Sequence, residues 1–176
     1  MGECTNLIHL SKTDTRHWES IMSLDHKESF IVDRENPVYR GINGSVYSKD
    51  MTQLFYVPKT IMGIYVIPET VQIIGRSAFR SCQIQNIIFS KRIKSIASFA
   101  FQDSAIETID LFNTSNLGDF LFWGCEKLLR IRFPQIEDIY GNLFFRCHKL
   151  QCIEIWENTK LETIPEGVQI KTYKGE

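Results

Sequence analysis

The chain has 176 residues, a formal net charge of -1 and 23% charged residues, with the two signs interspersed. That length fits one domain, and without a basic stripe nucleic acid is not an expected partner. The longest apolar stretch, Ile61 to Ile67, is far too short to span a bilayer.

The amino terminus carries Glu3, His9 and Lys12 and no apolar leader. Asn6 stands where an acylation motif after Gly2 needs Ser or Thr. With no leader, span or lipid signal, the default expectation is a cytoplasmic chain. Two apolar pairs then appear 22 residues apart, Ile8-His9-Leu10 and Phe30-Ile31-Val32. Next comes an extra segment with aromatic and β-branched runs around Ser48-Lys49-Asp50, which predicts a β-hairpin.

From Tyr65 onward the chain repeats. Tyr65-Val66-Ile67, Ile87-Ile88-Phe89, Ile109-Asp110-Leu111, Ile131-Arg132-Phe133 and Ile153-Glu154-Ile155 begin at 65, 87, 109, 131 and 153, every step being 22. A fixed period of this size signals a solenoid in which each repeat is one coil. Other columns keep the register: Ile74, Ile96, Leu117 and Ile139; Ala78, Ala100, Leu121 and Leu143; Phe79, Phe101, Phe122 and Phe144; and Cys82, Ser104, Cys125 and Cys147. Ile21 and Met22 extend the alanine and phenylalanine columns into the first repeat. Apolar residues at alternate positions face one side of a strand, here the interior. Stacked coils then set like residues about 4.8 Å apart. Each buried Ile or Phe contributes roughly 1.5–3 kcal/mol by area. The chain closes with Leu161, Ile164 and an alternating run from Val168 to Tyr173, read as a shortened edge coil.

Residues Ile67-Pro68-Glu69-Thr70-Val71-Gln72-Ile73-Ile74-Gly75-Arg76-Ser77-Ala78-Phe79-Arg80-Ser81-Cys82 carry a specific resemblance. The unit resembles the BspA-type leucine-rich repeat, and the likeness holds over residues 61–170. Phe112 and Trp156 depart from its proline and Tyr140 from its glycine. The resemblance implies an α/β leucine-rich-repeat fold, strand-dominated, a right-handed solenoid of ~22-residue coils with a β-hairpin insertion. It sets out one solenoid over 1–176: a degenerate repeat or cap over 1–32, the insertion over 33–60, regular repeats over 61–160 and a closing coil over 161–176. The family usually has glycine where Met51 stands, and a positive φ there would cost Met51 roughly 1 kcal/mol.

No constellation of catalytic type emerges. Cys147 and His148 point opposite ways along an extended chain. His17 and His26 near Asp14 and Asp25 lack metal-ligand spacing. Asp110 and Glu154 lie two coils apart, ~9.6 Å, with Arg132 between them, as in a cross-strand charge ladder. No cofactor or metal is therefore expected. Cysteine in a repeat column serves as a small buried apolar residue; Cys125 and Cys147 fall on adjacent coils, and the thiols are expected to be reduced. The triplets Asn43-Gly44-Ser45 and Asn113-Thr114-Ser115 accept glycans only on a secretory route.

The outward strand positions carry the functional expectation. Val66, Ile88, Asp110, Arg132 and Glu154 should form one column of the sheet face, and Ile64, Asn86, Thr108, Arg130 and Cys152 its neighbour. Solenoids bind partners across such sheets. Val66, Ile88, Asp110, Arg130, Arg132 and Glu154 are the candidate contact residues of a non-enzymatic protein-binding module. The resemblance implies surface antigens or adhesins and so display on a cell. The alternatives are an intracellular scaffold using the same face, or a segment of a longer repeat protein that self-associates through its coil ends.

Overall fold

The computed structural model describes residues 7–22, 29–111, 114–162 and 164–174, and the elements below are those among the described residues. The first coil holds β1 (Leu7–Leu10) and a one-turn helix α1 (Trp18–Met22); β2 (Ser29–Val32) opens the second. β1 and β2 pair in parallel with Ile8 opposite Phe30 and Leu10 opposite Val32, the alignment that the 22-residue step demands.

The insertion holds three strands rather than one hairpin. β3 (Tyr39–Ile42), β4 (Ser45–Ser48) and β5 (Gln53–Tyr56) run antiparallel. Asn43 and Gly44, with φ of 50° and 80°, make the first turn, a left-handed pair that Asn-Gly adopts readily. The second is the Ser-Lys-Asp turn read from the sequence: the Asp50 carboxylate accepts from Ser48 Oγ at 2.6 Å and Thr52 Oγ1 at 2.8 Å. Met51 has φ 63°, yet its side chain is buried in the core. Glycine there would relieve the backbone but empty a packed site.

The regular coils follow. Their long strands are β6 (Met62–Val66), β8 (Gln83–Ile88), β10 (Thr108–Asp110), β12 (Arg130–Arg132), β14 (Cys152–Trp156) and β16 (Gln169–Tyr173). Between them come the two-residue strands β7 (Ile73–Ile74), β9 (Ser95–Ile96), β11 (Asn116–Leu117), β13 (Asp138–Ile139) and β15 (Lys160–Leu161), and a 3₁₀ turn over Gly141–Phe144. The long strands form one parallel sheet in the order β16-β14-β12-β10-β8-β6. The short ones continue the insertion into a second sheet, β11-β9-β7-β5-β4-β3, with β13-β15 a separate pair. The third side of each coil is a turn segment, such as 98–104.

The turn side explains how a coil closes. Positive φ recurs at two positions of the turn: Ser77, Phe99 and Phe120 in one column, and Ser81, Asp103, Gly124 and Arg146 in the other. Only one of these is glycine, so most carry a local cost of order 1 kcal/mol. The turned backbone aims amides at the next coil. Phe99 N donates to Asp119 O at 3.0 Å; Ser81, Asp103 and Gly124 donate to Gln102, Trp123 and Phe145 at 2.8 Å each. Each donor is thereby satisfied without a regular sheet on this side.

The core is a set of ladders. Phe79, Phe101, Phe122 and Phe144 stack with centroids 5.4, 5.4 and 6.3 Å apart and planes within 25°. Tyr65 closes one end edge-on at 5.4 Å and Phe133 packs edge-on against Phe144 at 6.0 Å. The cysteine column bonds across coils: Cys82 Sγ to Val57 O at 3.4 Å, Cys125 Sγ to Phe101 O at 2.9 Å and Cys147 Sγ to Phe122 O at 3.1 Å. These thiols are unbridged and buried. Burial pushes Cys82 and Cys147 up to about 12 and Cys125 to about 11.

A second, smaller core gathers Leu10, Trp18, Ile21, Phe30, Tyr39, Val46 and Tyr56. β4 divides the two, sending Val46 to this core and Tyr47 to the main one. Ile21 is fully buried as its column requires, but Met22 is only half-buried. The Trp18 indole, 5.1 Å from Phe30 and 5.3 Å from Phe55, fills the space instead. Asn36, also fully buried, ties the insertion to the first coil. Its Nδ2 donates to Ser11 O and Asp14 O at 2.7 and 2.9 Å, and its Oδ1 accepts from Val38 N and Tyr39 N at 2.9 and 2.7 Å.

Candidate functional site

Alternation along the long strands puts every second side chain on the open face of the main sheet. Parallel pairing stacks these residues into two columns. Ile64, Asn86, Thr108, Arg130, Cys152 and Gln169 are successive partners in one. In the other, Val66 pairs with Ile88, and Asp110, Arg132, Glu154 and Lys171 follow as partners. All six candidate residues lie on this face, Val66 beside Ile88 and Arg132 between Asp110 and Glu154.

The face has two chemically distinct ends. At the β6–β8 end, Met62, Ile64, Val66 and Ile88 are 69%, 62%, 62% and 54% exposed. β-branched residues favour strands in any setting, but Met62 does not, and four apolar side chains facing water together form a patch. Toward the other end the face is charged. Arg130 Nη2 meets Glu154 Oε1 at 2.5 Å, and Arg132 Nη1 lies 3.9 Å from Asp110 Oδ2. Thr108 Oγ1 donates to Asn86 Oδ1 at 2.5 Å where the two ends meet.

Trp156 and Tyr173 complete the charged end, and sequence reasoning did not select them. They are partners across β14 and β16, edge to face at 5.6 Å. The Arg132 guanidinium sits 4.4 Å over the Tyr173 ring, a cation–π contact, and Tyr173 OH donates to Phe133 O. Burial raises the Tyr173 pKa. The signal was present in the period: Trp156 is two residues past Glu154, and Tyr173 continues the alternation of the last strand.

A second group of aromatics lies on the turn side, with Phe145 exposed and Phe99, Phe120 and Trp123 half-buried. Phe99 stacks on Phe120 at 5.1 Å, Trp123 packs against Phe145 at 4.5 Å, and Arg76 covers Phe99 at 4.9 Å. Among the described residues no group of three or more His, Cys, Asp or Glu is placed to hold a metal, and no helix is long and apolar enough to cross a membrane. Asn113 and His26 lie outside the described residues.

The profile of the BspA type leucine-rich repeat region matches residues 53–168 in six copies. The chain belongs to the BspA-type leucine-rich repeat family. A role in protein interaction is general for leucine-rich repeats, and the fold is generally non-catalytic. Among solved structures, the chain is similar to a leucine-rich repeat protein from Eubacterium ventriosum, with a TM-score of 0.79 and 20% identity over 96% of this chain and 49% of that one. It is similar to a leucine-rich cell surface protein from Faecalibacterium prausnitzii, with a TM-score of 0.66 and 23% identity over 86% and 48%. The pneumococcal vaccine antigen PcpA is a third, at 0.63 and 17% over 95% and 50%. At these identities the likeness is one of fold. This BspA-type chain spans about half the length of each. A comparison with curated proteins found no match.

Proposed function

We propose that this chain is a non-enzymatic protein-binding module that takes its partner on the open face of the six-stranded sheet. The observation behind this reading is the division of the face into an apolar patch and a charged end. Met62, Ile64, Val66 and Ile88 would supply desolvated contact, where binding energy concentrates. Asp110, Arg130, Arg132 and Glu154 would orient the partner by charge complementarity. Arg130 and Asp110, each more than half exposed, keep their charges within reach of a partner, and ion pairs in contact with water add little stability of their own.

Two structural neighbours are a vaccine antigen and a cell surface protein, which supports display on a cell with an adhesive or antigenic role. An intracellular scaffold using the same face is the second reading, favoured by the unbridged thiols of Cys82, Cys125 and Cys147. Proteolytic shaving of intact cells carrying a tagged copy separates the two. A further proposal is self-association through the coil ends, where β16 ends its sheet. Pull-down with the wild type and with Arg130→Glu/Arg132→Glu and Ile64→Glu/Val66→Glu tests the face. Loss of the same captured proteins from both variants is expected, and capture unchanged by either would exclude this face.

A further inference from the structure

Away from the sheet face, a cavity of about 460 Å³ opens between α1 and the turn side of the coils. Its volume falls within the range of small-molecule sites. Trp18, Met22 and Phe99 give it apolar walls, and Arg76, Arg80, Glu19 and Gln102 bring polar groups to it.

Its charges are unbalanced. Two guanidiniums line the cavity against the single carboxylate of Glu19, and neither Arg76 nor Arg80 has an ion-pair partner among the described residues. Arg76 is nevertheless held in place, its guanidinium 4.9 Å from the centre of the Phe99 ring. A cation fixed this way loses less freedom on meeting an anion. Trp18, one of the lining residues, has a second unusual feature. Trp18 Nε1 is buried without a hydrogen-bond partner, and a buried tryptophan N–H ordinarily has one.

We propose that this cavity binds a small aromatic carboxylate, its ring lodged against Trp18, Met22 and Phe99 and its carboxylate held by Arg76 and Arg80. Guanidinium is the side chain best matched to a carboxylate, through paired N–H···O bonds. The aromatic walls favour a flat apolar body, and the Glu19 carboxylate in the lining disfavours a second anionic group on the ligand. The site owes nothing to the reading of the sheet face and stands or falls separately.

The test uses the whole chain with the tryptophan indoles labelled with ¹⁵N, Trp18 being assigned by the signal that Trp18→Phe removes. 2-Naphthoate should shift the Trp18 N–H signal saturably and leave that of Trp156 in place. Its neutral isostere, 2-naphthamide, should bind about tenfold more weakly, the share that charge-assisted bonds supply. Arg76→Gln/Arg80→Gln alters exposed side chains, keeps the fold and should erase the difference between the two probes. The proposal is overturned if 2-naphthoate gives no saturable shift at Trp18, if the amide binds as well as the acid, or if the double variant still prefers the acid.

Discussion

Phe101 gives the ladder its sharpest test. The ring is fully buried, stacked at 5.4 Å on both Phe79 and Phe122, with Phe89 edge-on at 6.4 Å. Phe101→Ala removes the ring from between two others. Inter-coil bonds such as Phe79 N to Ala100 O and Phe101 N to Leu121 O, at 2.8 and 3.1 Å, hold the coils apart and resist collapse of the cavity. The cost should be about 3–5 kcal/mol, in the upper part of that range. Phe99 supplies the control, two positions away in the same coil. It also stacks on a phenylalanine, Phe120 at 5.1 Å, but it is half-exposed with φ 61°. Alanine adopts that backbone no less easily, so Phe99→Ala loses only a ring contact, the Arg76 contact and part of the area, about 1–2 kcal/mol. Urea unfolding followed by both far-ultraviolet circular dichroism and tryptophan fluorescence measures each, since a repeat chain can come apart in segments and the two probes must coincide. Equal losses for the two variants would refute the idea that the buried column, rather than stacking as such, holds the coils together.

Three further outcomes follow from the same geometry. Burial raises the thiols of Cys82, Cys125 and Cys147 above their ordinary 9.0, so the folded chain keeps protons that the unfolded chain releases above that pH. Stability intact below pH 9 should fall as pH climbs toward 12, and Cys147→Ala should flatten that slope; a slope unchanged in the variant would exclude the thiol as a source. Gly118→Ala should cost about 1–3 kcal/mol or more, because its Cβ would sit 2.3 Å from Ser98 N and 2.7 Å from Ala97 C, both backbone atoms; a melting temperature equal to wild type would contradict that packing. Asn36→Ala leaves two carbonyls and two amides without their partner and should cost about 2–4 kcal/mol. Amide exchange at Val38 and Tyr39 should accelerate more than in the distant β12, and uniform acceleration would argue against a local tie.

Much of this architecture was legible because a solenoid repeats its errors as well as its rules. Each apolar column is sampled once per coil, so the Phe79–Phe144 ladder and the two outward columns survived drift at single positions. The turn side was not legible. Its left-handed positions read Ser, Phe and Phe in one column and Ser, Asp, Gly and Arg in the other, with a glycine only at 124 to mark them. There the backbone is strained by inter-coil hydrogen bonding, which leaves no residue-type signature. The first coil misled for a different reason. Periodicity put Met22 in the phenylalanine column, but the larger Trp18, four residues earlier, took the interior and left Met22 at the rim of a cavity. Asn43-Gly44 was in plain view as a turn, yet the segment was read as one hairpin because the Ser-Lys-Asp turn alone accounted for its aromatic runs. On the sheet face, Trp156 and Tyr173 carry no repeat-column signature, because Trp156 falls where the repeat has proline and Tyr173 lies in the shortened closing coil.

The most direct test of a continuous spine is a double-mutant cycle on its rings. Phe101→Leu and Phe122→Leu, adjacent at 5.4 Å, should couple by about 0.5–1.5 kcal/mol in urea unfolding. Phe79→Leu and Phe144→Leu, at opposite ends of the stack, should add to within about 0.5 kcal/mol. Additivity at the adjacent pair, or coupling of equal size at both, would contradict an ordered column of rings running through the coils.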